Sequence, residues 1–251
     1  MYKVDLHTHC SENSKCAPHD GKTIAEAYKN AGFDGLVITN HFLGGMYTDL
    51  AKIDWQREVD FFFTGYEHAK EYGDAHGLDV FFGWEYRFFE SDILTYGLGR
   101  DWLLAHPDMC TWTPDRYFDE VHAAGGFVTH AHPFREVPGA KDCTVRLFGK
   151  KVDAVEIYNG SHEASCFGDD RLKFNERAEW YAKAYKRIEL AGSDTHGVYK
   201  NAEGKIMPFR YGAVIFNERF ENEKEMIAAI RNGEYSLDCP ELIFEEFKTR
   251  K

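Results

Sequence analysis

The N-terminal stretch Tyr2-Lys3-Val4-Asp5-Leu6-His7-Thr8-His9 reads as a β-strand that ends in two histidines two residues apart. Side chains two apart along a strand share a face, so His7 and His9 can present two imidazoles on one side of the backbone. Outward from this segment, strand-like and helix-like stretches alternate along the whole chain. Residues 23–31 (TIAEAYKNA) read as a helix stopped by Gly32, and residues 35–39 (GLVIT) as a second strand. A long helix is expected over about 55–76, with strands over 78–88 and 92–98. Thr113-Pro114-Asp115 opens another helix, with threonine as N-cap and proline at the first helical position, and Gly125-Gly126 closes it. Strands are expected over 127–130, 152–158, 188–191 and 211–216, and helices over 170–186 and 223–232. This rhythm predicts an α/β protein with a parallel sheet and outer helices, as either an open doubly wound sheet or a closed barrel. No G-x-G-x-x-G follows the first strand, so the dinucleotide-binding version has no support. Residues 1–251 read as a single domain, a length that α/β barrels use as one unit.

Twenty Phe, fourteen Tyr and five Trp supply ample material for a core, which excludes intrinsic disorder. Thirty Lys and Arg against 42 Asp and Glu give a net charge of −12. That balance lacks the basic footprint of a protein binding nucleic acid along its backbone, so no stable nucleic-acid partner is expected. A local basic pocket for one phosphate is still allowed. No apolar run approaches the ~18 residues of a bilayer span, so no membrane partner is expected. No charged leader with an apolar stretch precedes the first strand, and a cytoplasmic protein is expected. Cys10, Cys16, Cys110, Cys143, Cys166 and Cys239 contain no C-x-x-C pair, which argues against a structural zinc knuckle and for reduced thiols.

The histidines fall at strand ends. His7-Thr8-His9 closes the first strand, His41 follows the second, Glu85 lies on the third, and His130-Ala131-His132 ends a later one. Asp194-Thr195-His196 follows the strand over 188–191. In parallel α/β folds the carboxyl ends of strands meet at one rim, where active sites are built. Imidazole and carboxylate together suit Zn, Mn or Fe, with Ca and Mg disfavoured by so many histidines. One ion takes about four ligands, and the candidates exceed that number, so a multinuclear centre is expected. His68, His76, His106, His122 and His162 fall in helix or loop contexts and read as surface or structural; His19 is undecided. Loops over 42–54 and 137–145 are expected to shape the pocket.

At these residues the sequence resembles the PHP family, the polymerase and histidinol phosphatase domains. The matching segments are Asp5-Leu6-His7-Thr8-His9, Ile38-Thr39-Asn40-His41, Gly83-Trp84-Glu85, Ala131-His132-Pro133 with Arg135, residues 155–160 (VEIYNG), and Gly192-Ser193-Asp194-Thr195-His196. The resemblance implies a distorted (β/α)7 TIM-like barrel that hydrolyses phosphate esters with two or three divalent metal ions. It further implies that His7, His9, Glu85 and Asp194 hold a first ion, with Glu85 bridging to a second that His132 also binds. His41 and His196 would hold a third. Asp92 stands where many relatives carry histidine; it is either an oxygen ligand that hardens the site or a solvated loop carboxylate. Asn40 replaces the family's usual Asp, which removes a charge and could weaken a relay. Lys15 stands where many members supply His or Asp, leaving the third site weak, absent, or completed by Cys16 or His19. Arg135 reads as the phosphate contact, its planar fork suited to paired hydrogen bonds, with Arg210 and Lys205 as alternatives. His130 shares the expected strand face of His132 but is left outside the ligand set.

The expected function is therefore hydrolysis of a small phosphorylated metabolite or nucleotide through a metal-activated hydroxide. Two competitors are carried beside it. One is an amidohydrolase-like enzyme cutting C–N or C–O bonds, against which no lysine is placed to bridge two ions. The other is a degenerate module that binds metal or phosphate without turnover.

Overall fold

The computed structural model describes residues 1–42, 54–89, 91–135, 146–161 and 172–239. Residues 137–145, most of the 42–54 loop, His162, Cys143 and Cys166 lie outside them. Strands β1 (Tyr2–Thr8), β2 (Gly35–Ile38), β3 (Asp79–Phe88), β4 (Ser91–Tyr96), β5 (Phe127–Ala131), β6 (Ala154–Asn159) and β7 (Ile188–Gly192) stand side by side in chain order. The sheet curls until the backbone beyond β7 meets β1. The Asp194 N–H donates to the His7 carbonyl at 2.9 Å, and the His9 N–H to the Thr195 carbonyl at 3.1 Å. Seven strands thus make a nearly closed barrel, distorted in one place.

That distortion corrects the expectation of a wholly parallel sheet. Strands β1–β3 and β5–β7 run parallel within each group, but β4 is antiparallel to both β3 and β5. A parallel connection needs a dozen or more residues for its crossover. Between β3 and β4 lie only two, and Phe89 turns the chain at φ 56°. Strands β10 (Ala213–Phe216) and β11 (Tyr235–Asp238) extend the sheet antiparallel beside β1. They cover its first half, Tyr2 to Val4, and leave its second half free for the closure.

The helices follow from their end signals. Helix α1 (Gly21–Asn30) starts two residues before the expected position because Asp20 caps it, its carboxylate accepting the Thr23 N–H at 2.7 Å. Helix α2 (Trp55–His76) matches its expected span and ends on Gly77 in the left-handed region. After the short α3 (Arg100–Ala105) comes α4 (Pro114–Ala123), capped by Thr113 as its sequence predicts. Helix α5 (Leu172–Tyr185) and α6 (Glu223–Asn232) complete the outer layer. Helix α3, the hairpin of β8 (Val198–Lys200) with β9 (Ile206–Pro208), and β11 were not anticipated. No helix among the described residues is long and apolar enough to cross a membrane.

Two apolar layers fix the barrel. Inside it, Leu6, Val37, Leu94, Ala131, Leu190 and Val214 share one cluster. Outside, Phe62, Phe82, Trp84, Tyr117, Phe118 and Val128 pack helices α2 and α4 on the sheet. Trp84 and Tyr117 are wholly buried, and the indole N–H donates to the phenol oxygen at 2.8 Å. Tyr117→Phe leaves that N–H unpaired in an apolar layer, so it should lower unfolding free energy by about 1–3 kcal/mol in urea titration. An unchanged midpoint would remove this bond from the core. At the barrel's other end Arg219 pairs both guanidinium donors with Asp79, at 2.6 and 2.7 Å, and the Tyr2 hydroxyl donates to the same carboxylate at 2.6 Å. Burial pushes the Asp79 acid up, but these donors outweigh it and hold it below the usual range. A depressed acid contributes stability that is present above its unfolded value and lost as pH falls through its folded one. The stability gap between wild type and Asp79→Asn should therefore be largest near neutral pH and close on acidification.

Candidate metal centre

The strand ends deliver their polar side chains into one buried cluster. His7, His9, Glu85, Asp92, His132 and Asp194 are all buried, and His41 and His196 stand at its edge. The Nε2 atoms of His7 and His9 approach to 3.1 Å. Asp194 Oδ1 lies 3.1 Å from His9 Nε2 and 3.5 Å from His7 Nε2. Glu85 reaches in from β3, with Oε1 3.0 Å from His132 Nε2 and Oε2 2.7 Å from His41 Nδ1. His196 Nε2 is 3.6 Å from Asp194 Oδ1, and its ring stacks on His9 at 4.7 Å between centroids. Two groups of donor atoms, His7–Glu85–His132 and His7–His9–Asp194, are each compact enough to enclose an ion.

The ring tautomers support that use. His7 Nδ1 faces Glu156 Oε1 at 2.9 Å, and His9 Nδ1 faces Ser14 Oγ at 3.2 Å. With both Nδ1 atoms donating outward, both Nε2 lone pairs point at each other and at carboxylate oxygens. Such a set is repulsive until a proton or a cation sits inside it. Glu85 Oε2 makes the same point, being buried with no hydrogen bond of its own despite its proximity to His41. The residues present therefore fit divalent ions. Electrostatics follow this crowding: burial pushes the Glu85 acid up, but His41 and His132 outweigh it and hold it well below the carboxylate range. Burial pulls His7 down, yet Glu156 and Asp194 raise it well above the ordinary imidazole. Burial dominates at His9, lowering it to about 3.

Backbone strain is concentrated here. Of four non-glycine residues with positive φ among those described, two are His132 (φ 25°) and Asp194 (φ 50°). Both sit just past a strand, where the turn swings the side chain inward; such strain gathers at functional sites. At His132 it also breaks the alternation expected from His130-Ala131-His132. His130 points away, packed on Phe148 and Tyr181, and burial lowers it to about 3.

Glu156 had no role assigned from sequence. It holds His7 through Oε1, while Oε2 accepts the His132 N–H at 2.9 Å and the Asn159 amide at 2.8 Å. An acid on an otherwise apolar strand, VEIYN, was the available signal. Gly192 makes room for it: a Cβ there would lie 2.5 Å from Glu156 Oε1 and 2.6 Å from His7 Cβ. Asn40 proves well matched to its place. Its Oδ1 accepts from the Cys10 N–H at 2.8 Å and from Ser14 Oγ at 3.1 Å, so the oxygen that orients Ser14 is kept. Its amide donates to Asn13 Oδ1 at 3.2 Å, where a carboxylate would repel.

Asp92 is buried between two arginines and is not a solvated loop acid. Arg87 grips both its oxygens at 2.7 and 2.9 Å, Arg135 Nη2 lies 3.1 Å from Oδ2, and His132 Nε2 is 4.0 Å away. Arg135 thus stands at the cluster's edge with a quarter or so of its side chain exposed. Arg210 lines a cleft of about 300 Å³ beside His196, together with Pro18, Ser161, Thr195 and Phe209. Lys205 pairs with Glu203 on the exposed β8–β9 hairpin. Lys15 is exposed, whereas the neighbouring Cys16 joins His9 and His41 in a third compact donor group. Burial raises the Cys16 thiol, but His196 and His41 outweigh it and lower it to about 7. His19 enters none of the donor groups found among the described residues. His68, His76, His106 and His122 are held by Glu12, Tyr72, Trp102 and Asp153, as structural histidines should be.

No family sequence model and no curated protein sequence matches the chain. Solved structures do. A two-domain protein from Bacteroides vulgatus containing a predicted PHP-like metal-dependent phosphoesterase superposes with TM-score 0.64 at 16% identity, over 96% of this chain and 65% of that one. PsfC from Pseudomonas syringae gives 0.56 at 16% identity, over 95% and 91%. A lesion-specific endonuclease from Pyrococcus furiosus gives 0.52 at 14%, over 94% and 57%. The chain thus has the PHP-like barrel fold and spans about two thirds of the first protein's length.

If Glu156 and Gly192 hold the donors as described, Glu156→Gln and Gly192→Ala should each weaken zinc binding about 10–100-fold, read by calorimetry. Wild-type affinity in both would dismiss this supporting layer.

Proposed function

We propose that the chain is a metal-dependent phosphoesterase acting on a small phosphorylated metabolite or nucleotide. The observation that carries this reading is the convergence of His7, His9, Glu85, His132 and Asp194 in a buried cluster with Arg135 at its edge. His7, His9, Glu85 and Asp194 would hold one ion, Glu85 and His132 a second, and His41 with His196 a third. Asp92 borders the second site, facing His132 while aiming Arg135. Divalent ions bound there would supply positive charge for phosphoryl oxygens and a water acidified enough to give a nucleophile near neutral pH.

The chain's own groups then divide the remaining work. Glu156 and Ser14 fix the His7 and His9 rings so that each offers Nε2 inward. Arg135, held by Asp92, directs its fork at phosphoryl oxygens, where paired charged hydrogen bonds are strong and directional. Arg210 and Phe209 beside His196 offer a charged and an apolar wall to the leaving group. The net charge of −12 favours a small anionic substrate over a long duplex. The names of the Bacteroides and Pyrococcus neighbours support phosphoester chemistry.

Phosphate release from phosphomonoesters, nucleotides and an aryl phosphodiester, with chelator, Mn²⁺ or Zn²⁺, tests the proposal. Turnover should require metal and fall to background in His9→Ala and Asp194→Ala, while both variants keep wild-type circular dichroism. Arg135→Ala should lose roughly 100-fold in kcat/KM. Stoichiometric metal with no turnover on any ester would sink the phosphoesterase reading and favour C–N or C–O hydrolysis or a binding module.

A further inference from the structure

The third donor group contains a sulfur. We propose that the Cys16 thiolate is a direct ligand of one ion of the centre, with His41 and His196, making that position selective for a thiophilic divalent cation such as zinc over manganese or magnesium. This rests on the metal-centre reading above.

Several observations converge on the position. The Cys16 Sγ and one ring nitrogen each of His9 and His41 lie within 4.8 Å of one another. The His9 ring stacks on His41 and His196 at 4.7 Å each, which gathers the three imidazoles beside the sulfur. Independently, the buried Glu85 Oε2 points to the same place without a hydrogen bond, 2.7 Å from His41 Nδ1 and 3.4 Å from His9 Nε2. A buried carboxylate oxygen close to two imidazoles but without an aligned hydrogen bond, beside a clustered thiol, is the arrangement a cation would satisfy.

The other sulfur nearby is occupied differently. Cys10 is buried, and its Sγ takes the Asn40 amide at 3.0 Å. Cys16 is outside any disulfide and reaches the surface, whereas Lys15, which cannot ligate while protonated, turns to solvent. Binding would form a sulfur–metal bond and release the thiol proton to solvent. A thiolate in place of an imidazole or carboxylate softens the site, and soft ligands select zinc and iron over manganese and magnesium.

The test strips the 251-residue chain of metal with chelator and titrates it with Co²⁺ alone. Wild type should develop a sulfur-to-cobalt charge-transfer band in the near ultraviolet that saturates with bound ion. Cys16→Ser should lose the band and bind one equivalent less zinc by mass spectrometry, whereas Cys239→Ser should keep both. Cys16→His should restore the stoichiometry without the band, which separates loss of a ligand from loss of structure. Cobalt bound to wild type without the band would overturn the thiolate ligand and leave the metal centre standing. No cobalt binding at all would overturn both.

Discussion

The carboxylate of Glu156 is the pin on which this barrel's interior depends. One oxygen meets the His7 ring from β1, and the other meets the backbone of His132 beyond β5 and the Asn159 amide at the end of β6. Three separate strand ends are thereby tied to one buried group. Burying such an acid is costly unless every lone pair finds a donor, and here both oxygens do. The tie to His7 also sets that ring's tautomer, so a single side chain governs backbone positions and a lone-pair direction at once.

Around that pin, the barrel accepts unfavourable features that only a polar interior explains. His132 and Asp194 hold left-handed backbones that the bridging hydrogen bonds and strand closure over-determine. The reversed β4 serves the same end. Running antiparallel, it sets Asp92 opposite Arg87 in register, so acid and guanidinium meet across neighbouring strands. A parallel strand reached through a crossover helix would begin at the opposite end of the barrel and deliver a different residue there.

Much of this was legible from residue spacing. The H-x-H at residues 7–9 keeps its paired side chains together because strand alternation carries through the end of β1, whereas the D-x-H at 194–196 lies past β7 and meets at 3.6 Å through the turn at Asp194. His130-Ala131-His132 fails the same rule because a positive φ intervenes, and no local sequence pattern announces it. Helix α3 is too short to show a period, and β8 and β9 are three-residue strands whose pairing depends on tertiary position. Beside Lys15 the third site was open to being weak, absent, or completed by Cys16 or His19; only the folded loop sets the Cys16 sulfur in a compact group with His9 and His41. Glu156 was visible as an acid on an apolar strand, but its partners are 149 and 24 residues distant.

The pair Asn13 and Asn40 has a bearing on how this centre can be altered. Asn13 gives its amide protons to the Phe61 carbonyl on α2, which turns its oxygen toward Asn40 and obliges that residue to be a donor. Placing an acid at position 40 alone would set oxygen against oxygen in a dry space, although the exchange looks conservative on paper. Positions 13 and 40 therefore form one unit of substitution, with strongly non-additive costs when changed singly. Through them, the orientation of Ser14 and the His9 ring is keyed to the seating of a helix whose surface lies far outside the barrel.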